Sequence, residues 1–419
     1  MREKLVVVGN GMAGMRTVEE LLKIAPEKYD ITVFGAEPYG NYNRIMLSPV
    51  LTGEKTIEQI MINGLDWYKA NNITLYAGDA KKVINIDRKK QIVIAADGTK
   101  AEYDRLLLAT GSKPFIAPLP GHDLKGVIAF RDINDVETML KAAREKRHAI
   151  VIGGGLLGLE VANGLLIQGM QVTVIHNIDV LMNRQLDGPA SKLLEQSLVS
   201  RGLKFKLNSK TTELKADEHG HVKSIAFSDG EELPAELVVM AVGIRPNIEL
   251  AQKVGLHCER GIVVNDTLQT FDPKIYAIGE CIQHREALFG LVAPIWDQAK
   301  VAANHLAGFG ISIYRTQASS TKLKVTGIEL FSVGDFNGDD DSETLIFQDP
   351  KRGIYKKVIL KEDKIIGSVM YGDTIDGSWY FKLLKDGTNV ADFRDSLLFG
   401  QANIDISDHS SDKLCNSDV

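Results

Sequence analysis

The 419-residue sequence predicts an α/β fold in which two related units are followed by a small α+β domain. Two glycine-rich loops, at residues 9–14 and 153–158, each follow a short apolar run and precede an apolar helical stretch. A strand–turn–helix pattern returns between residues 274 and 306. Beyond about residue 315 the segments alternate and are rich in β-branched residues, which indicates an antiparallel sheet.

The first loop, KLVVVGNGMAG, carries Gly9, Gly11 and Gly14 between predicted strands at 4–9 and 31–36 and beside a predicted helix at about 12–25. In this setting G-x-G-x-x-G is the fingerprint of a Rossmann-like dinucleotide-binding domain. The glycines allow a tight turn, close approach of a pyrophosphate, and close helix packing, while the helix N-terminus favours an anion. Glu37 follows 23 residues after Gly14, near the position where an acidic side chain binds ribose hydroxyls.

The second loop, HAIVIGGGLLG, repeats the pattern with Gly153, Gly155 and Gly158. The next predicted strand ends at His176, 18 residues after Gly158, where NAD enzymes commonly place a carboxylate. A neutral histidine neither binds ribose hydroxyls strongly nor repels a 2′-phosphate. We therefore predict NADH as the nucleotide, leave NADPH open, and expect NADPH use to rise at low pH as His176 gains charge. Gly243, after a strand predicted at 237–242, is assigned to the same site.

Two dinucleotide sites in one chain suit the reduction of a flavin by a nicotinamide. The order of the patterns predicts that the second Rossmann-like domain is inserted in the first. We predict an FAD-binding domain at 1–115 and 245–315, an NAD(P)H-binding domain at 116–244, a C-terminal α+β domain at 316–400, and a polar tail at 401–419.

Three further segments resemble flavin-binding motifs of the two-dinucleotide-domain flavoprotein reductases, which include ferredoxin and rubredoxin reductases, apoptosis-inducing factor and NADH oxidases. The resemblance spans about residues 4 to 310. It implies that Glu280, where Asp is usual, holds the ribityl chain of FAD. The residues that carry it are Tyr42, Arg44, Leu47 and Ser48 in the loop under the flavin, Thr110 and Gly111 in ATGSKP, and Gly279 and Glu280 in YAIGEC.

The same resemblance implies that the helix beginning at Ala293 points at the pyrimidine edge of the flavin, with Trp296 nearby, although Trp296 could equally be core packing. In relatives a glutamate at the position of Glu160 can lie near the nicotinamide and pair with a lysine after the loop serine. This sequence has Pro49 there. An electrostatic role for Glu160, the one catalytic candidate, and a solvated first-turn glutamate both remain open.

A narrower resemblance is carried by the strings at 279–300, 319–336 and 365–400. They are similar to the N-terminal flavin half of assimilatory NAD(P)H nitrite reductase large subunits and to the electron-transfer subunits of assimilatory nitrate reductase. In that family a small iron–sulfur module and sirohaem domains follow. The resemblance implies an FAD-dependent NAD(P)H reductase that passes electrons to an iron–sulfur or sirohaem partner. The sequence ends near Cys415, where that module would begin, so a stand-alone flavin subunit and the flavin part of a longer protein both remain open.

The bulk properties exclude several other classes. The three cysteines, Cys258, Cys281 and Cys415, form no C-x-x-C pair and cannot supply four thiolates to a cluster, so we expect no metal site in this chain. No cysteine lies at 38–55, which disfavours the disulfide- and peroxide-reducing branches.

A net charge of -6 argues against nucleic-acid binding, and no apolar run reaches the roughly 18–20 residues of a membrane span. We expect a cytoplasmic protein, and the oligomeric state stays open. The alternatives are a rubredoxin or ferredoxin reductase, an NADH oxidase, or a flavin-binding redox sensor with little turnover.

Overall fold

A computed structural model describes residues 2–316, 320–325 and 327–404. The chain divides into two compact units. The first comprises Met1–Gly153, Val161–Thr173 and Lys210–Gln317, and the second comprises Gly154–Glu160, Val174–Ser209 and Ala318–Val419. Of the predicted tail at 401–419, residues 405 onward lie outside the described residues.

The first run of elements builds most of a parallel sheet. Strand β1 pairs in parallel with β2 on one side and with β9 on the other, and β5 extends the sheet beyond β2. The middle of β1 is fully buried, because it shares one hydrophobic core with residues of α1, such as Met15, and of the antiparallel pair β6 and β7, such as Ile86 and Val93. The elements are β1 (Glu3–Val8), α1 (Met12–Ile24), β2 (Tyr29–Gly35), β3 (Asn41–Tyr42), α2 (Leu47–Thr52), β4 (Met61–Asn63), α3 (Leu65–Ala70), β5 (Thr74–Ala77), β6 (Val83–Asp87), β7 (Ile92–Ala95), β8 (Lys100–Glu102), β9 (Arg105–Leu108) and β10 (Ser112–Pro114).

The middle of the chain repeats the strand–loop–helix pattern. Strand β18 pairs in parallel with β11 and β12, and β15, β16 and β17 form an antiparallel meander. Strands β10 and β19 pair with each other where the chain leaves and re-enters this region. The elements are β11 (Val127–Ile128), α4 (Ile133–Glu145), β12 (His148–Ile152), α5 (Leu156–Ile167), β13 (Gln171–Ile175), α6 (Gly188–Ser200), β14 (Lys204–Lys206), β15 (Thr211–Ala216), β16 (Val222–Phe227), β17 (Glu232–Pro234), β18 (Leu237–Met240) and β19 (Ile244–Pro246).

The chain then returns to the first sheet. Strand β21 pairs in parallel with β9, which completes the order β21-β9-β1-β2-β5. A strand that follows the whole middle region thus belongs to the sheet that precedes it, as the predicted insertion requires. The elements are α7 (Glu249–Lys253), β20 (Ile262–Val264), β21 (Ile275–Ala277), β22 (Ile282–His284), β23 (Ala287–Leu288) and α8 (Ala293–Ala307).

The last region is the predicted α+β domain. Its five strands are antiparallel in the order β24-β25-β28-β27-β26, and α9 packs against the sheet through Tyr380 and Leu383. No helix among the described residues is both long and apolar enough to cross a membrane. The elements are β24 (Thr321–Val325), β25 (Ile328–Gly334), β26 (Glu343–Asp349), β27 (Ile354–Lys361), β28 (Lys364–Tyr371) and α9 (Gly377–Asp386).

Candidate functional site

Two glycines of the first loop, Gly9 and Gly14, are closed, in that a Cβ there would collide with the backbone, whereas Gly11 is open, in that a Cβ would enter free space. Gly9 has a φ of +119°, and a Cβ there would collide with the backbone oxygen of Ala109. A Cβ on Gly14 would collide with the backbone oxygen of Gly9. A Cβ on Gly11, the N-cap of α1, would meet no atom within 4 Å. The loop therefore leaves free space at the helix N-terminus, where a phosphate would approach the backbone.

The second glycine loop follows the same steric pattern. Gly153 has a φ of +123°, and a Cβ there would collide with the backbone oxygen of Ala241. A Cβ on Gly155 would meet no atom within 4 Å, and the same holds for Gly243, which follows β18 and has a φ of +115°. Gly158 is buried in α5. Gly153 and Gly155 thus have the same steric surroundings as Gly9 and Gly11 of the first loop.

His176 faces its own loop. Its Nδ1 accepts a hydrogen bond from the backbone N–H of Gly154 at 3.3 Å, and the ring packs close to Gly154. Burial lowers the pKa of His176 from its reference value of 6.5. The expected gain of charge on acidification is therefore revised, because the imidazole stays neutral to lower pH than an exposed histidine would.

Glu160 is the fifth residue of α5 and is half-buried. The sequence interpretation placed it in the first turn, but it lies just beyond. Because the helix dipole acts mainly within the first turn, that explanation for a glutamate here is weakened. Its electrostatic role stays a prediction.

Glu37 and Arg44 form one end of a cluster of charged side chains, which we call the two-arginine cluster (Glu37, Tyr42, Arg44, Arg131 and Glu280). Glu37 follows β2 and accepts a hydrogen bond from the Tyr42 hydroxyl at 2.6 Å. It also pairs with the guanidinium of Arg44, which lies over the Tyr42 ring at 5.0 Å from the centroid. Arg44 donates from its other terminal nitrogen to the backbone oxygen of Arg131 at 2.9 Å.

The other end of the cluster is the ion pair between Arg131 and Glu280, both of which are mostly buried. Glu280 also accepts a hydrogen bond from the Ser112 hydroxyl at 2.8 Å. It lies in the short 3₁₀ turn Gly279–Cys281, where the backbone N–H of Gly279 donates to Gln298 Oε1 of α8 at 2.8 Å. Arg131 was not among the predicted residues, yet it connects the Arg44 loop to the Glu280 turn.

A capping box fixes the backbone at Arg131. Asp132 caps α4, and the carboxylate of Asp135 accepts the backbone N–H of Arg131 at 2.7 Å and that of Asp132 at 3.3 Å. Burial, followed by the negative charge of Asp132, raises the pKa of Asp135 to about 6. The pattern Asp-x-x-Asp before an apolar helical period is a capping signal that the sequence contains.

The remaining predicted flavin residues surround the same edge of the sheet. Thr110 donates its hydroxyl proton to the backbone oxygen of Asn247 at 2.8 Å, and Gly111 has a φ of +66°. A cavity of about 330 Å³ opens beside Gly9 and Thr110, beyond the carboxyl ends of β1 and β2. Open α/β sheets bind ligands at this edge. Its lining also includes Val8, Phe34, Ala36, Lys82, Val83, Ile84, Lys113, Glu249, Leu250 and Lys253.

The loop and helix predicted to face the flavin have well-defined surroundings. Leu47 and Ser48 are buried in α2. Helix α8 begins at Ala293, as predicted, and Ala293 is exposed. Trp296 is only half-buried, and the guanidinium of Arg16 lies over its ring at 5.4 Å. Trp296 is therefore not a fully enclosed core residue.

Metal ligands and reactive thiols are not assembled in the described part of the chain. No group of three or more His, Cys, Asp or Glu side chains there could hold a metal ion. Cys281 is buried, and burial raises the pKa of its thiol. Cys258 is also a free thiol with its pKa raised to about 11 by burial. Neither thiol is poised to act as a nucleophile near pH 7.

The chain belongs to the pyridine nucleotide-disulphide oxidoreductase family, which matches residues 3–305. Residues 320–388 match the rubredoxin NAD+ reductase C-terminal domain. The predicted fold and oxidoreductase class are thereby confirmed.

Comparison with individual proteins confirms the narrower resemblance. The chain is 48% identical over 391 residues to the nitrite reductase [NAD(P)H] of Bacillus subtilis, covering 93% of this chain and 48% of that protein. It is 44% identical to the assimilatory nitrate reductase electron transfer subunit of the same organism, covering 90% of this chain and 48% of that protein. The chain thus spans about half the length of these relatives. Among solved structures, the putidaredoxin reductase in its covalent complex with putidaredoxin matches with a TM-score of 0.82 and 27% identity, over 92% of this chain and 94% of that one.

Proposed function

We propose that the chain is an FAD-dependent NAD(P)H reductase that passes electrons to an iron–sulfur or sirohaem partner in nitrite or nitrate assimilation. The observation that carries this proposal is the matched geometry of the two glycine loops. In each loop the middle glycine, Gly11 or Gly155, is the one at which a side chain would enter open space, while the glycine before it is closed against backbone. This pattern suits two bound pyrophosphates, one at each loop.

The residues at the first loop fit FAD. The open space at Gly11 suits its pyrophosphate, and the cavity beside Gly9 and Thr110 suits its adenosine portion. Glu37 would accept ribose hydroxyls, and Glu280 would hold the ribityl chain. Arg44 and Arg131 would balance the charge of these carboxylates and of the phosphates.

The second loop would bind the nicotinamide nucleotide through Gly153, Gly155 and Gly158, and Gly243, which follows β18, is assigned to the same site. His176 leaves the ribose end without a carboxylate, which supports NADH use with modest discrimination against NADPH. FAD, when bound, supplies the chemistry that converts a two-electron hydride donor into a source of single electrons. The chain contributes placement, and the N-terminus of α8 at Ala293 contributes a positive dipole end.

The acceptor is inferred from the relatives. The chain matches about half of a nitrite reductase and about half of a nitrate reductase electron transfer subunit. An iron–sulfur cluster needs four protein ligands, and the three cysteines here cannot supply four thiolates. We therefore propose that the metal centres lie outside residues 1–419, in a partner protein or domain.

The test has two parts. Purified protein should be yellow, should release FAD on denaturation, and should reduce ferricyanide with NADH at many turnovers per second. A flavin-binding redox sensor would hold FAD but turn over hardly at all. Nitrite should be consumed only when the remaining portion of a relative such as the Bacillus subtilis nitrite reductase [NAD(P)H], the part that this chain does not match, is added. Nitrite consumption by the chain alone would contradict the proposed division of labour.

A rubredoxin reductase is the second candidate, because residues 320–388 match the rubredoxin NAD+ reductase C-terminal domain. The two candidates differ in their preferred acceptor. If rubredoxin is reduced with a higher kcat/KM than that remaining portion of the nitrite reductase, the second candidate replaces the first. An NADH oxidase would instead show rapid oxygen consumption without any added acceptor.

A further inference from the structure

Asp187 joins a helix cap to the C-terminal sheet. Its Oδ1 accepts the backbone N–H of Ala190 at 3.2 Å and so caps α6. Its Oδ2 accepts the hydroxyl of Tyr355 at 2.7 Å and lies 3.5 Å from the ammonium of Lys357. Tyr355 and Lys357 are two residues apart on β27, so they project from the same face of that strand. The Asp187 side chain is only 9% exposed, so losing one of these partners would leave a buried carboxylate less well solvated.

The segment that leads to Asp187, residues 176–187, is hydrogen-bonded to the second glycine loop. The backbone N–H of Met182 donates to the oxygen of Gly154 at 2.9 Å, and the N–H of Gly154 donates to His176 at 3.3 Å. The buried side chain of Leu181 packs against Gly154 so closely that a Cβ there would come within 2.7 Å of it. The N–H of Leu181 donates to the hydroxyl of Ser191 in α6 at 2.7 Å.

These contacts form one continuous path within the second compact unit. The path runs from Tyr355 through Asp187 and the segment 176–187 to Gly154, the residue between the closed and the open glycine of the loop. In Rossmann-like domains the nucleotide ribose lies against the end of the strand that follows the glycine-loop helix, here β13, and the pyrophosphate lies against the glycine loop. A shift of the segment 176–187 relative to Gly154 would therefore alter nucleotide affinity without moving the reacting atoms.

We propose that Tyr355 is a positioning residue for the pyridine nucleotide, which acts through Asp187 by holding the segment 176–187 against Gly154. This inference rests on the proposed function, because it assumes that the second loop binds NADH. It assigns to the C-terminal domain a part in nucleotide binding.

The chain offers a matched control. Tyr371 on β28 stands directly opposite Tyr355 in the sheet register, and its hydroxyl donates to the backbone oxygen of Leu193 in α6 at 3.3 Å. Tyr371→Phe therefore removes one hydroxyl from the same sheet–helix contact without touching Asp187. Tyr355→Phe removes the hydroxyl that does touch it.

The experiment compares the two variants with wild type in flavin content, in kcat and KM for NADH with ferricyanide as acceptor, and in direct titration with NAD+. A hydrogen bond to a charged group contributes enough that Tyr355→Phe should raise KM and the Kd by about 5- to 20-fold. Flavin content and kcat should stay within about twofold of wild type, since no reacting atom is touched. Tyr371→Phe should leave KM within about twofold.

A second variant tests the path itself. Asp187→Asn keeps one acceptor oxygen, which can still cap α6, and places an amide NH2 opposite the Tyr355 hydroxyl, which can then accept a hydrogen bond instead of donating one. It drops the charge but retains a hydrogen bond to the tyrosine, so it should raise KM less than Tyr355→Phe. Because both changes act on one contact, the double variant should raise KM by less than the product of the single effects. A product of independent effects would overturn the path.

An unchanged KM in Tyr355→Phe, or an equal rise in Tyr371→Phe, would also overturn the proposal while leaving the reductase function intact. Failure of the wild-type chain to bind NAD+ or to oxidise NADH would instead refute the proposed function, and the positioning role with it.

Discussion

Gly11→Val separates folding from flavin binding. Gly11 has φ -89° and ψ -177°, an extended conformation that valine adopts readily, and its Cβ would meet no protein atom within 4 Å. Gly11 is the N-cap of α1, where replacing glycine costs less than about 1 kcal/mol. The variant should therefore fold with nearly wild-type stability.

The same valine would occupy the space in which a pyrophosphate must approach the loop backbone. Each charge-assisted hydrogen bond from a backbone N–H contributes about 1.5–3 kcal/mol. Loss of two such bonds amounts to about 3–6 kcal/mol, or an FAD affinity reduced roughly 10²- to 10⁴-fold. The purified variant should be a colourless apoprotein.

The assay measures bound flavin per protein together with the thermal midpoint of unfolding. Gly64→Val is the matched control, because Gly64 is also an N-cap glycine with extended dihedrals (φ -69°, ψ 166°) and open space around its Cβ, but it belongs to α3. It should keep its flavin. Gly9→Val should fail to fold, since its Cβ collides with the backbone of Ala109. A folded, fully flavinated Gly11→Val protein would refute the assignment of the first loop.

Four further outcomes are expected. Gly155→Val should keep FAD but lose reduction by NADH, because the second loop also has open space at its middle glycine; bleaching of the flavin by NADH at the wild-type rate would contradict this. Arg131→Ala should weaken FAD binding by about 10- to 100-fold in an equilibrium titration, because it leaves the mostly buried Glu280 without its ion-pair partner; an unchanged Kd would show that the pair is not used. His176→Glu should raise the ratio of kcat/KM for NADH over NADPH several-fold by repelling the 2′-phosphate; no change on substitution would show that other residues select the nucleotide. Because burial lowers the pKa of His176 from 6.5, a fall of this ratio in wild type should begin at a lower pH than an exposed histidine would give. The pKa of Asp135 in the folded protein is raised to about 6 from 3.8, so its contribution to the free energy of unfolding is largest below pH 3.8 and is lost as the pH rises toward 6. In urea denaturation, the free energy of unfolding of wild type should therefore fall by on the order of 1 kcal/mol relative to that of Asp135→Asn between pH 5 and pH 7. A difference between the two proteins that does not change with pH would refute the raised pKa.

The strands and the glycine loops could be predicted because their signals are local. The strand predicted at 31–36 is β2 at Tyr29–Gly35, and the helix predicted at about 12–25 is α1 at Met12–Ile24. The helices outside the sequence prediction include α4 and α6, each of 13 residues. Each begins after a capping aspartate, Asp132 or Asp187, which is a helix-start signal that the sequence contains. The pairing of β10 with β19 has no local signal, because it joins residues more than a hundred positions apart.

The residues of the candidate site likewise differ in whether a local sequence signal predicts them. Glu37 and Arg44 were predicted from motifs near each other in the sequence, and the structure pairs them. Arg131 has no motif of its own, and its partner Glu280 lies 149 residues away. Only the return of β21 to the first sheet brings the Glu280 turn to the carboxyl end of β9. A residue whose role depends on such a long-range contact cannot be found from one sequence without relatives to compare.

The two glycine loops share their steric design but differ in charge, and this difference bears on which nucleotide each one binds. The strand before the first site, β2, is followed by Glu37, whose carboxylate is already engaged by Tyr42 and Arg44. The corresponding strand of the second site, β13, is followed by His176, whose pKa burial lowers, so the imidazole is mostly neutral near pH 7. A preformed network of charges suits a resident cofactor, because rigid partners cost little entropy on binding. A neutral, weakly discriminating site suits a substrate that must bind, react and leave in every turnover. The electrostatics thus support FAD at the first loop and the pyridine nucleotide at the second.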